Sequence, residues 1–138
     1  MPVQPYLMFN GRTEEALEFY KKALNAQPGM IMRFSESPEP SACPDGSVPP
    51  PDKIMHCNFT IAGNEILASD GMCDGNPKFE GISLAITYPD VATVEKAFAA
   101  LTEGGQVQMP LTKTFFSEKF GMIQDKFGVS WMLMAEHA

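Results

Sequence analysis

The sequence predicts an α+β protein built from two βαβββ modules, with a single open, curved sheet of about eight strands around a pocket and helices outside. Glycine and proline divide the chain into two halves, each with one helical segment and four strand-like segments in the same order. Apolar positions of the two halves correspond at an offset of 77 to 79 residues, in the pairs Leu7 and Ile86, Leu17 and Val94, and Leu24 and Leu101. An internal repeat of this kind indicates that neither half buries its sheet alone.

The first module begins with a strand over residues 3–9, which Asn10-Gly11 ends. Thr13 is the expected N-cap of a helix that runs to about Leu24, because Glu14 and Glu15 follow in the first turn. Strands over 30–34, 54–61 and 65–69 complete the module, and Ala62-Gly63-Asn64 predicts a hairpin between the last two.

The second module repeats this order. A strand over 81–88 precedes Asp90, the expected N-cap of a helix that Gly104-Gly105 ends. Three further strands are predicted over 106–116, 120–125 and 130–135. A chain of 138 residues has the size of a single domain, so we expect one domain over 1–138, with modules at about 1–72 and 78–138.

Composition excludes several classes of function. The net charge of -7 provides no basic surface for a phosphate backbone, so nucleic acid is not an expected partner. The sequence has no apolar run near the ~20 residues of a membrane span and no leader pattern, which predicts a cytoplasmic protein without membrane contact. Three cysteines without a CxxC spacing, Cys43, Cys57 and Cys73, predict free thiols.

One proline-rich segment interrupts the repeat. Residues 35–53 hold six of the 12 prolines. Because unstructured loops beyond ~15 residues are uncommon in compact domains, the segment is either a lid or partner contact, or a plainly mobile insertion.

Three stretches carry a resemblance to a known family: Pro5 to Gly11, Ile54 to Asn58 with Ile66 to Asp70, and Asp125 to Met132. They resemble the PhnB-like family of the vicinal oxygen chelate superfamily, which includes glyoxalase I, ring-cleaving dioxygenases and antibiotic-resistance proteins. The resemblance covers nearly the whole chain and implies two modules around a shared pocket, commonly in a homodimer. A demethylubiquinone methyltransferase label also goes with such sequences, but the chain has no Gly-rich strand-to-helix turn for a methyl donor.

The superfamily's enzymes hold a divalent metal on four side chains, from the first and last strands of each module. At the corresponding positions this chain offers Pro5, either Ala68 or Asp70, Ser83 and Met132. A catalytic metal keeps about three protein ligands, so we predict no metal and no cofactor. A relocated site built from His56, Asp70 and another acid is the alternative.

A polar stripe of His56, Asn58 and Thr60 follows one face of the third strand. His56 can act as a base or donate to a substrate oxygen, and Asp70 would orient it across the hairpin. The alternatives are a histidine satisfied by a neighbouring strand and an aspartate that serves an ordinary turn.

Three functions follow as hypotheses. The first is metal-independent binding of a small molecule, with Asn58, Ser83, Gln124 and Met132 as contacts beside His56 and Asp70. The second is a lyase or isomerase for a small oxygenated metabolite, with His56 as base and Asp70 as its partner. The third is a dimeric scaffold.

Asp125 is expected to anchor the turn before the last strand. The abundant methionines line either an adaptable pocket or an ordinary core.

Overall fold

The structure, a computed structural model, describes residues 2–39, 42–71 and 75–136. The chain forms two compact units, Met1–Pro77 and Lys78–Ala138, and each contains one βαβββ module. The predicted fold class is therefore confirmed. The eight strands form two four-stranded sheets, one per module, rather than the single open sheet of about eight strands that we expected.

The elements of the first unit are β1 (Tyr6–Met8), α1 (Thr13–Leu24), β2 (Gln27–Arg33), a 3₁₀ turn (Phe34–Glu36), β3 (Ile54–Ile61) and β4 (Asn64–Ser69). The strand order is β1-β4-β3-β2, in which β1 and β4 are parallel and the other pairs antiparallel. Helix α1 buries its apolar side beside β3, where Tyr20 stacks on Phe59 with ring centroids 6.3 Å apart.

The elements of the second unit are β5 (Leu84–Tyr88), α2 (Val91–Thr102), β6 (Gln106–Thr112), β7 (Phe120–Gln124) and β8 (Ser130–Ala135). The strand order, β5-β8-β7-β6, is equivalent to that of the first unit. Asp90 is the N-cap of α2, as predicted, since the carboxylate accepts from the Thr93 amide at 2.7 Å.

The start of α1 corrects one sequence expectation. Arg12, not Thr13, is the N-cap residue, and its side chain makes no capping hydrogen bond. Thr13 is already helical, and the carboxylate of Asp70 accepts from its amide at 2.9 Å. A side chain distant in sequence therefore does what a local cap normally does.

Backbone hydrogen bonds join the two ends of the proline-rich segment. The Phe34 amide donates to the Lys53 carbonyl at 3.0 Å, and the Ser35 amide donates to the Pro51 carbonyl at 3.0 Å. Next to these ends, Arg33 forms an ion pair with Glu14 of α1 at 2.7 Å. No helix among the described residues is long and apolar enough to cross a membrane.

Candidate functional site

The first open face is the side of the first sheet that points away from α1. On β3, the buried side chains of Cys57, Phe59 and Ile61 point toward the helix, so the residues between them point the other way. Cross-strand pairing extends this face over all four strands. It comprises Tyr6, Met8, Met32, His56, Asn58, Thr60, Glu65, Leu67 and Ser69.

His56 and Tyr6 form a pair on the first open face. The Tyr6 hydroxyl lies 2.9 Å from His56 Nδ1, and the ring centroids are 5.6 Å apart. When the hydroxyl donates, the neutral imidazole carries its proton on Nε2, which can then donate to a ligand oxygen. Nε2 has no hydrogen-bond partner among the described residues. The pair is thus a fixed imidazole with one available nitrogen.

An apolar side chain lies beside each member of this pair. Met32 is the cross-strand partner of His56, and Leu67 is the partner of Tyr6. Both are partly exposed, and Tyr6 itself is 47% exposed. Few polar groups within an apolar lining are the usual composition of a small-molecule site.

Asn58 has a different role from the one we predicted. Its Oδ1 accepts from the Met30 amide at 2.5 Å, and its Nδ2 donates to Glu65 at 3.0 Å. The Met30 contact lies where a bulge interrupts the pairing of β2 with β3. The amide of Asn58 therefore replaces a missing ladder bond and supports the fold.

The structure does not bring Asp70 to His56. The Asp70 carboxylate is buried on the helix side of the sheet, where Oδ1 accepts from the amides of Gly11 and Thr13 at 2.7 and 2.9 Å. Its Oδ2 accepts from the amide of Ile54 at 3.0 Å. His56 is on the opposite face, paired with Tyr6. Asp70 connects the start of α1 to β3 and is not placed to orient the imidazole.

The second open face, the side of the second sheet that points away from α2, is rich in methionine. Met109 pairs with Met122, and Met122 pairs with Met132, so three methionines lie side by side across β6, β7 and β8. All three are partly exposed. The predicted contact Met132 is thus part of a continuous thioether row, a surface that adapts to varied apolar shapes.

Two other predicted contacts lie at the margins of this sheet. Ser83 is exposed and precedes β5, which begins one residue later. Gln124 is at the end of β7 and donates to the carbonyl of Gly128 in its own turn at 3.3 Å.

Asp125 anchors the last turn, as predicted. Its Oδ1 accepts from the amides of Phe127 and Val129 at 2.9 and 3.1 Å. A third contact was not predicted: the indole of Trp131 donates to Oδ2 at 2.9 Å.

The cysteines correct the expectation of three free thiols. Cys43 is disulfide-bonded and buried, although sequence spacing alone shows no partner for it. Cys57 is a free, buried thiol whose pKa is raised to about 11, first by burial and then by the charge of Asp70. Cys73 lies outside the described residues.

No group of three or more His, Cys, Asp or Glu side chains within 2–39, 42–71 and 75–136 is arranged to hold a metal ion. His56 and Asp70, the core of the alternative relocated metal site, are on opposite faces of the sheet.

Sequence reasoning missed Tyr6. Strand alternation shows that Tyr6 and Met8 share a face, but it does not show that β4 lies between β1 and β3. The parallel pairing of β1 with β4 places Tyr6 where its side chain reaches His56, 50 residues further along the chain.

Comparison with known proteins identifies the family. The family model described as 3-demethylubiquinone-9 3-methyltransferase matches residues 2–134. The chain belongs to this family. It is also 34% identical to protein YjdN of Escherichia coli K12 over 138 residues, which cover 96% of this chain and 94% of the relative.

Solved structures support the same family assignment. Protein PA1353 from Pseudomonas aeruginosa is 36% identical with a TM-score of 0.83, and the alignment covers 100% of this chain and 99% of that one. The PhnB protein from Bacillus cereus is 30% identical with a TM-score of 0.79, over 98% and 99% of the two chains. These relatives confirm the predicted PhnB-like family. A glyoxalase-related enzyme from Fulvimarina pelagi, 16% identical with a TM-score of 0.59 over 99% and 88% of the chains, shares the fold.

Proposed function

We propose that the protein binds a small oxygen-bearing organic molecule on the first open face, with His56 as the polar anchor. The observation that carries this proposal is the contact of 2.9 Å between the Tyr6 hydroxyl and His56 Nδ1. It holds the imidazole by one nitrogen and leaves the other for a ligand. A homodimer and a cytoplasmic location stay predictions of the sequence.

The surroundings of His56 support a partly apolar ligand. Met8, Met32 and Leu67 share the face with the imidazole and are partly exposed. A carbonyl or ether oxygen would accept from Nε2, while the carbon skeleton of the ligand would contact the methionines. The thioether row of the second open face offers similar apolar chemistry in the other unit.

The same imidazole favours a second candidate function, a lyase or isomerase with His56 as its base. This function needs the other tautomer, in which Nδ1 donates its proton to the Tyr6 oxygen and Nε2 is the unprotonated, basic nitrogen. Tyr6 would then orient the base, the part that the sequence interpretation gave to Asp70. Methyl transfer is not proposed, because the turn from β1 to α1, Asn10-Gly11-Arg12, has one glycine and lacks the Gly-rich turn of a nucleotide-type methyl donor.

Ligand-observed NMR with a fragment panel of ketones, aldehydes, phenols and ethers tests the binding proposal. We expect some fragments to bind the wild type and Thr60→Ala equally well and to lose binding in His56→Ala. Thr60 is a suitable control, because it lies on the same face and strand as His56. If every fragment that binds the wild type also binds His56→Ala, the proposal is wrong. Turnover of a bound fragment by the wild type but not by His56→Ala would favour the enzyme.

A further inference from the structure

The thioether row of the second open face places three sulfur-bearing side chains on neighbouring strands. Met109 of β6 pairs with Met122 of β7, which pairs with Met132 of β8. The register of β6 shifts on both sides of Met109, and Met109 is the one residue between the two shifts that keeps a partner on β7. Because Cβ atoms of directly opposed residues are about 5 Å apart, the three flexible side chains start within reach of one another.

The side chains of the row point away from α2. A Cβ at Gly121 would lie 2.7 Å from the ring of Phe98 on that helix, so Met122, the next residue of β7, points to the opposite face. Met132 alternates with buried residues along β8 and is itself partly exposed. Met109 and Met122 are partly exposed as well, so a solute can reach all three thioethers.

The four strands of this sheet carry no charged side chain. Their residues, in β5 to β8, are apolar or uncharged and polar. These strands therefore offer no carboxylate or imidazole to Mg²⁺, Ca²⁺ or Zn²⁺, which prefer oxygen, nitrogen or thiolate ligands. Thioether sulfur is a soft ligand that favours a soft cation such as Cu⁺.

The first open face also has methionines, but in an arrangement that does not suit one ion. Met8 is on β1 and Met32 is on β2, and these strands are the two edges of the first sheet, with β4 and β3 between them. Three strand spacings separate the edges by about 14 Å. The two thioethers start too far apart to bind the same ion, so Met8 and Met32 are matched controls for the row.

We propose that the thioether row binds one Cu⁺ ion through the sulfur atoms of Met109, Met122 and Met132, with the ion above Met122. Met134 is on the same face but is paired with Phe120, so it lies outside the row. All three ligands belong to the second unit, whereas His56 belongs to the first. The site is therefore separate from the ligand anchor proposed above.

Methyl NMR with Ag⁺ tests the site. Ag⁺ is a soft cation with the charge of Cu⁺, and it needs no reductant. Methionine labelled with ¹³C in its methyl group gives one signal for each of the 10 methionines, which single Met→Leu variants assign. In a chloride-free buffer, we expect Ag⁺ to shift the signals of Met109, Met122 and Met132 together and to leave those of Met8 and Met32 in place. A thiol that takes up Ag⁺ does not shift the row signals, and Zn²⁺ should not shift them either.

Substitution of the central ligand tests whether the three sulfur atoms act together. With free Cu⁺ buffered anaerobically by bicinchoninate, the Cu⁺ concentration at which the row signals are half shifted gives the affinity of the row alone. Met122→Leu removes the central sulfur and keeps a side chain of similar volume, so the fold should tolerate it. We expect the half-shift concentration to rise about tenfold or more. Met8→Leu, the same change on the first open face, should leave it unchanged. Met109→Leu on the edge strand β6 repeats the test if Met122→Leu does not fold.

Four results would overturn the proposal. The first is that the row signals stay in place with Ag⁺ in excess. The second is that Met8 and Met32 shift as much as the row, which would mean that any partly exposed methionine takes up the ion. The third is that Zn²⁺ shifts the row signals as much as Ag⁺ does. The fourth is an unchanged half-shift concentration in folded Met122→Leu or Met109→Leu.

Discussion

Asp70 and Thr13 are joined by two hydrogen bonds across 57 residues of chain: the carboxylate Oδ1 accepts from the Thr13 amide at 2.9 Å and from its hydroxyl at 2.5 Å. The residue that follows the fourth strand thus caps the helix that follows the first. This explains why α1 begins without a capping side chain of its own. It also assigns to Asp70 a role in stability rather than in binding at His56.

Asp70→Asn should destabilise the protein strongly. In the wild type, the two carboxylate oxygens accept from the buried amides of Thr13 and Ile54. Asparagine replaces one of these oxygens with an NH₂ group, which cannot accept, so one of the two amides loses its partner. We expect the free energy of unfolding to fall by about 3 kcal/mol, as measured by urea titration. Asp52→Asn, a change to an exposed aspartate, is the matched control.

The same variant separates stability from binding. Under conditions where Asp70→Asn remains folded, a fragment that needs His56 should bind with wild-type affinity. Loss of that binding in folded Asp70→Asn would show that Asp70 acts on the imidazole after all.

Cys57 should be an unreactive thiol with an effect on alkaline stability. Its pKa of about 11 leaves about one thiol in a thousand ionised at pH 8, so the folded protein should not react with Ellman's reagent through Cys57. Unfolding in guanidinium should restore the reaction. Rapid labelling of the folded wild type that disappears in Cys57→Ala would contradict this.

The raised pKa of Cys57 also determines the direction in which stability changes with pH. The folded state holds the thiol proton more tightly than the unfolded state, whose pKa is near 9.0. This contribution is fully present below pH 9 and is lost as pH rises through about 11, an effect of roughly 2–3 kcal/mol. Between pH 9 and 11, the stability of Cys57→Ala should decrease less than that of the wild type. An equal decrease in both proteins would show that other groups cause it.

Gly29 makes room for the side chain of Asn58. A Cβ at Gly29 would lie 2.3 Å from Asn58 Oδ1, so Gly29→Ala should displace this oxygen from the Met30 amide. We expect a loss of about 1 kcal/mol in urea unfolding. In an Asn58→Ala background the same substitution should cost less, because the obstructing atom is gone. Equal costs in both backgrounds would refute the linkage.

Asp125 and Trp131 give a fluorescence test of the second unit. Trp131 is the chain's single tryptophan, is buried, and donates to Asp125 at 2.9 Å. Asp125→Ala leaves this indole and two turn amides without their acceptor, so we expect red-shifted emission and a loss of about 2–3 kcal/mol in stability. An unchanged spectrum and unfolding midpoint would contradict the anchoring role.

Much of the fold could be predicted from the sequence. The helix over 13–24 and the strand over 54–61 match their predicted bounds, because helical periodicity and strand alternation are strong there. The turn between β3 and β4 was also predicted, and Ala62 and Gly63 both have positive φ, of 52° and 80°. β1 is shorter than the predicted 3–9, since it pairs only with the three residues Leu67 to Ser69 of β4.

The candidate site was less predictable, because its contacts depend on strand order. The side chain of His56 contacts Tyr6 because β4 lies between β1 and β3. It does not contact Asp70, because that carboxylate is on the opposite face, which α1 covers. Likewise, the bulge that engages Asn58 depends on the register of β2. Side-chain types along one strand do not reveal either relationship.

The most direct test of the proposed function uses one hydroxyl group. Tyr6→Phe keeps the ring and removes the only atom that holds His56 Nδ1 among the described residues. For a fragment whose binding requires His56, we predict that Tyr6→Phe weakens the affinity by about fivefold, with no change in Thr60→Ala, as measured by ligand-observed NMR titration. Wild-type affinity in Tyr6→Phe would contradict the claim that this pair forms the ligand anchor.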